Sequence, residues 1–146
     1  METLEILTGS GKETKKIGEI LGQQILSYRH PMSIIISLEG ELGSGKTTFT
    51  QGFAKGLGIK ENPRSPTFVI MQIYKFKKRS FIHIDAYRVK SKDLKILGWR
   101  ALIKNPENLI LIEWGNKIKN ILPKNSLRII FKHVGHPEHR LIKICK

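Results

Sequence analysis

The chain has 146 residues, 40% of them hydrophobic and 8% aromatic, which is enough apolar material for a core and predicts one folding unit over 1–146 at roughly 100–200 residues per domain. Apolar runs such as Ile34-Ile35-Ile36-Ser37-Leu38 fall far short of the roughly 18–20 residues that a membrane helix needs, Met1-Glu2-Thr3-Leu4-Glu5 has no secretory pattern, and Cys145 is the single cysteine, so a cytoplasmic, reducing location without a membrane is expected. Lys and Arg number 26 against 12 Asp and Glu, a net charge of +14, which is the balance either of a polyanion-binding protein or of a Lys- and Ile-rich composition.

In chain order, Ser10 and Glu13 have capping-box spacing and open a helix with Ile17, Ile20, Leu21, Ile25 and Tyr28 at helical intervals, ended by His30-Pro31. Ser33 to Leu38 is a β-branched apolar run, expected as a strand buried on both faces. Glycines from Gly40 to Gly45 break it, and Lys46 to Leu57 places Phe49, Phe53, Ala54 and Leu57 on one helical stripe, capped by Gly58. Thr67 to Tyr74 and Phe81 to Asp85 are predicted strands joined by a basic turn at Lys77-Lys78. Ser91 to Ile103 is predicted as one helix with Ser91 as its cap and Leu94, Leu97 and Ala101 facing inward. Leu109 to Glu113 is another buried strand, and Leu127 to Phe131 pairs with Leu141 to Cys145 across a loop at Gly135-His136-Pro137-Glu138-His139. Alternating strands and helices predict a layered α/β fold with antiparallel hairpins added.

Gly40-Glu41-Leu42-Gly43-Ser44-Gly45-Lys46-Thr47 fits G-x-x-x-x-G-K-[ST], between an apolar strand and an amphipathic helix. Glycines let consecutive backbone N–H groups turn toward phosphate oxygens, and the helix dipole points its positive end at the same anion. Lys46 supplies a mobile charge for the outer phosphates, and the Thr47 hydroxyl suits Mg²⁺. The expected architecture is therefore a three-layer P-loop NTPase-like fold with a mixed, mainly parallel central sheet. Asp85 and Glu113 each end an apolar strand at the sheet edge where such folds bind ligands; one acid can hold Mg²⁺ and the other orient the attacking water, and the sequence does not divide these roles. Asn116-Lys117-Ile118-Lys119 places a cation where guanine recognition needs a carboxylate, which favours ATP over GTP. His30, His83, His133, His136 and His139 have no zinc spacing with the cysteine, so no zinc is expected.

Four elements in series, Gly40 to Thr48, Ser65-Pro66-Thr67-Phe68, His83-Ile84-Asp85-Ala86-Tyr87-Arg88 and Leu111-Ile112-Glu113-Trp114, resemble the TsaE ATPases of bacterial tRNA threonylcarbamoyladenosine synthesis. The resemblance implies a small cytoplasmic ATPase using ATP and Mg²⁺, associated with TsaD and TsaB, reaching tRNA only through that complex and contacting no DNA. It also implies catalytic roles for Lys46, Asp85 and Glu113, metal binding at Thr47, Asp85 and Glu113, and nucleotide contacts from Gly43, Ser44, Gly45, Lys46, Thr47, Thr48, a γ-phosphate-sensing Thr67, and Arg140. Gly115-Asn116 departs from the family pattern, as do Lys92 and Lys95 where relatives carry acids, which points to a different docking surface. A small-molecule kinase and a basic RNA-associated module with a regulatory nucleotide site are the alternatives. The first requires a hydroxyl acceptor, the second salt-sensitive RNA binding indifferent to ATP.

Overall fold

The computed structural model describes residues 2–64 and 70–146. In chain order these form β1 (Thr3–Thr8), α1 (Gly11–Ile25), β2 (Ile34–Gly40), α2 (Lys46–Leu57), β3 (Met71–Phe76), β4 (Arg79–Asp85), α3 (Ser91–Ile96), α4 (Trp99–Lys104), β5 (Asn108–Glu113), a 3₁₀ helix (Gly115–Ile121), β6 (Leu127–Val134) and β7 (His136–Cys145). The strands make one sheet in the order β1-β7-β6-β2-β5-β4-β3. Its four central strands, β6, β2, β5 and β4, run parallel, and β7 with β1 at one side and β3 at the other add antiparallel edges. This is the mixed α/β sheet that the sequence predicts. No helix among the described residues is long and apolar enough to cross a membrane.

The pleat sends alternate residues of each central strand to opposite faces. Leu109 and Leu111 of β5 join Ile36, Leu38, Phe49, Phe53 and Phe81 under α1 and α2. Ile110 and Ile112 join Ile35, Ile82, Ile84, Leu94 and Trp99 under α3, α4 and the 3₁₀ helix. Three layers result, because strands this apolar need cover on both sides.

Several local expectations are corrected. Ser10 does cap α1, its hydroxyl accepting from the Glu13 amide at 3.2 Å. The helix ends at Ile25, however, and Ile20 and Tyr28 lie on the exposed side. Its buried face is Thr14, Gly18 and Gly22. Gly18 and Gly22 press on the backbone of Phe49 and Phe53, while Gly52 and Gly56 of α2 press on that of Lys15 and Glu19. Two helices meet here main chain to main chain, which moves the aliphatic stripe to the flanks of the contact.

The single helix over Ser91 to Ile103 is two short helices. Gly98, in the left-handed region at φ 86°, divides them, and Lys90 precedes the first turn, where the Asp93 carboxylate accepts from the Lys90 amide at 2.9 Å. Leu94 is buried, but Leu97 and Ala101 are exposed; Trp99 fills the core position instead and donates its indole N–H to the Ile121 carbonyl at 3.2 Å. The β3–β4 hairpin turns at Lys77-Lys78, with Lys77 at φ 52°, and the observed strand starts at Met71. Positions 67–69 of the predicted strand lie outside the described residues. His136 and His139, expected in a loop, sit in β7 of the β6–β7 hairpin, whose tight turn is Gly135. β1 and the 3₁₀ helix were not foreseen.

Candidate functional site

Because β2, β5 and β4 are adjacent and parallel, their carboxyl ends share one sheet edge. Gly40 closes β2, and Asp85 and Glu113 stand opposite each other in the register of β4 and β5. This juxtaposition gathers residues from positions 40 to 113 into one place.

The glycine loop turns through left-handed conformations at Gly43 (φ 72°) and Gly45 (φ 104°), which favour glycine. A Cβ on Gly40 would stand 2.7 Å from Ser44 Oγ and 2.8 Å from the Phe131 carbonyl. The Ser44 amide bonds the Glu41 carbonyl at 3.1 Å and the Phe49 amide bonds the Gly45 carbonyl at 2.9 Å, so the turn runs directly into α2. Arg140 reaches the loop from β7, donating from Nε to the Ser44 carbonyl and from Nη2 to the Gly43 carbonyl, both at 3.1 Å. A guanidinium that binds the loop's carbonyls braces the bend from outside.

Lys46 is only 5% exposed. Its ammonium donates to the Gly40 carbonyl at 2.6 Å, the Glu41 carbonyl at 2.8 Å and Ser44 Oγ at 3.3 Å, and lies 4.0 Å from the centre of the Trp114 ring. Burial holds this ammonium below the usual lysine range, while the Glu113 and Asp85 carboxylates pull the other way. Trp114 itself has φ 62° and packs on Tyr87, ring centres 5.0 Å apart.

Glu113 is 2% exposed and bonded at both oxygens. Thr47 Oγ1 donates to its Oε1 at 2.9 Å, and His83 Nε2 lies 2.6 Å from its Oε2. Asp85 is half-buried and accepts the Tyr87 amide on Oδ1 at 2.9 Å. A cleft of about 360 Å³ opens here, lined by the loop from Leu42 to Thr48, by Glu113 and Trp114, by Gly11 and Thr14 of α1, and by Pro137, Glu138 and Arg140 of the β6–β7 hairpin.

Of the predicted site residues, Gly43, Ser44, Gly45, Lys46, Thr47, Thr48, Glu113 and Arg140 line this cleft. Asp85 stands one strand away beside Glu113. Thr67 and the Ser65-Pro66-Thr67-Phe68 motif lie outside the described residues. Sequence reasoning passed over His83, although Asp85 two residues later places it on the same face of β4. It also missed the contribution of α1, where Thr14 Oγ1 and Thr8 Oγ1 share a hydrogen bond of 2.8 Å. Among the described residues no group of three His, Cys, Asp or Glu could hold a metal ion. The Thr47 hydroxyl and the Glu113 carboxylate, 2.9 Å apart, are oxygen donors of the kind that could hold a hard cation only together with further ligands from outside the chain.

Comparison with known proteins identifies the family of the chain. The family profile described as "Threonylcarbamoyl adenosine biosynthesis protein TsaE" matches residues 8–142. The chain belongs to the TsaE family. A relative from Bacillus subtilis, the tRNA threonylcarbamoyladenosine biosynthesis protein TsaE, is 35% identical over 141 residues, 97% of this chain and 85% of its own. The protein of the same name from Rickettsia prowazekii is 38% identical over 139 residues, covering 94% and 91%. The crystal structure of Bacillus subtilis YdiB superposes with a TM-score of 0.76 at 31% identity, across 98% of this chain and 84% of that one. The fold and the motif series of this TsaE-family chain thus have a common explanation.

Proposed function

We propose that this chain is the Mg²⁺-dependent ATPase of tRNA threonylcarbamoyladenosine biosynthesis, and that its hydrolysis drives turnover of a TsaD–TsaB complex in the cytoplasm. The observation that carries the reading is the hydrogen bond from Thr47, at the start of α2, to Glu113, at the end of β5, on the rim of the glycine loop. That pair would hold a divalent cation at the rim of the loop. Bound Mg²⁺ would supply charge neutralisation across the β- and γ-phosphates.

The remaining work falls to the chain. Loop amides from Gly43 to Thr48 and the N-terminal end of α2 bind phosphate oxygens. Lys46 exchanges its bonds to the Gly40 and Glu41 carbonyls for the outer phosphates, and its charge stabilises the transition state. Asp85, next to Glu113, accepts a hydrogen bond from the attacking water and aligns it. Trp114 covers Lys46 and limits solvent around its charge. Thr67 stands in this proposal as the γ-phosphate sensor, and Arg140 as the brace of the phosphate loop.

The test is phosphate release from Mg·ATP by the full chain, alone and with TsaD and TsaB, without any added acceptor. Stimulation by the partners and loss of ATP affinity in Lys46→Ala are the expected results. Strict dependence on a hydroxyl acceptor would establish the kinase reading instead, and full ATP affinity in Lys46→Ala would overturn the site.

A further inference from the structure

The sheet buries a histidine directly behind the site, at a position that the proposed reaction does not use. His83 is fully buried, its ring parallel to that of Phe81 at an interplanar angle of 5° and 6.3 Å between centres. One ring nitrogen, Nε2, lies 2.6 Å from Glu113 Oε2; the other, Nδ1, has no hydrogen-bond partner among the described residues.

A contact of 2.6 Å between two lone-pair atoms requires a proton between them. A proton on Nδ1 would leave a buried N–H with nothing to bond, which native interiors avoid more strictly than an under-used acceptor. The ring is therefore the Nε2–H tautomer with Nδ1 bare, and Nε2 donates to Glu113. The carboxylate is left with one oxygen fixed to the sheet and the other, Oε1, accepting from Thr47. Terminal carboxylate torsions are broad and nearly two-fold when unconstrained. Two donors on opposite oxygens, one from β4 and one from α2, remove that freedom.

We propose that His83 is a positioning residue for ATP hydrolysis: it sets the rotation of the Glu113 carboxylate, so that Oε1 faces Thr47 and the metal–phosphate region. The role rests on the ATPase reading above, since it is the orientation of Glu113 toward that region that gives the bond a function. His83 acts only through Glu113. Nucleotide affinity comes from the glycine loop and Lys46, so the loss of His83 reduces turnover and leaves binding nearly unchanged.

The experiment compares His83→Phe, which keeps the ring and its stacking but cannot donate, with His83→Gln, whose amide N–H reaches the same direction. Steady-state hydrolysis, fluorescent ATP-analogue binding and melting temperature are read for each. Groups that orient a metal-site ligand typically contribute 10- to 100-fold, so kcat should fall by about that factor in His83→Phe with KM little changed, and His83→Gln should recover most of it. Wild-type kcat in His83→Phe overturns the proposal, as does a His83→Gln no more active than an equally stable His83→Phe. A wild-type chain without turnover, alone and with partners, sinks the ATPase reading by itself. The bond on which the positioning role depends is read separately, whatever the turnover, by ¹⁵N-histidine NMR of the wild-type protein: an Nε2-protonated ring with an exchange-protected proton supports the bond to Glu113, and an Nδ1-protonated ring refutes it and the role with it.

Discussion

The two helical layers hold the same sheet by different means. On one side α1 and α2, 15 and 12 residues long, meet through Gly18, Gly22, Gly52 and Gly56 with their main chains in contact. On the other lie three short helices, two of them entered through left-handed residues, Gly98 before α4 and Trp114 before the 3₁₀ helix, and Ile96 is left 83% and Leu97 48% exposed. In the first layer α2 begins at the glycine loop, so close packing against α1 fixes the end of that loop. The second follows Asp85 and Glu113 with loosely joined pieces, so the acids depend on strand register and on side-chain bonds for their position. Precision comes from backbone contact in one layer and from Glu113's two donors in the other.

The largest effect should appear where the layers meet. Glu113→Gln removes the charge facing Thr47 and is expected to lower turnover about 10²–10³-fold, a loss of about 2.7–4 kcal/mol of transition-state stabilisation, with little change in melting temperature; steady-state kinetics and calorimetry check it. Gly52→Ala comes next. A methyl group there meets the Lys15 carbonyl, and overpacking of this kind costs about 1–3 kcal/mol, measured by urea unfolding. Gly98→Ala in the opposite layer meets nothing within 4 Å and incurs only left-handed strain, about 1–2 kcal/mol. A loss in Gly98→Ala as great as in Gly52→Ala would erase the contrast. Ile96→Ser, on the exposed surface, should change stability by no more than about 0.5 kcal/mol.

The smallest effect is electrostatic. Burial depresses the Lys46 ammonium, so below that depressed value it is charged in both folded and unfolded chain and its desolvation opposes folding. As pH rises through the depressed value toward the ordinary lysine range, the folded chain releases this proton first, and stability gains across that window. Wild type should therefore gain on Lys46→Met as pH rises there, seen as a widening difference in urea midpoints between the two proteins; parallel curves would show that Lys46 is not desolvated.

Strong local signals in the sequence matched the structure. The run Ile34 to Leu38, the glycine loop and the stripe Phe49, Phe53, Ala54 and Leu57 each have one low-energy solution, and β2, the turn and α2 follow. Ser91 to Ile103 misled because its spacing fits a single helix equally well; only the demand of the core for Trp99, and the left-handed turn at Gly98, split it. His83 looked like one more polar residue in an apolar strand. Its meaning depended on Glu113, thirty residues away, and no local pattern carries that distance.

What the amino-acid order settled by itself was the chemistry on offer: a glycine bend opening a helix, a lysine and threonine behind it, and acids closing two apolar strands. These are consequences of backbone permissiveness and short-range periodicity, which act within a few residues. Which strands became neighbours, that β7 brought Arg140 to the loop, and that Glu113 came to rest between Thr47 and His83 were decided by the tertiary structure. Such contacts depend on burying both faces of one sheet at once, and that requirement is met only by the whole chain.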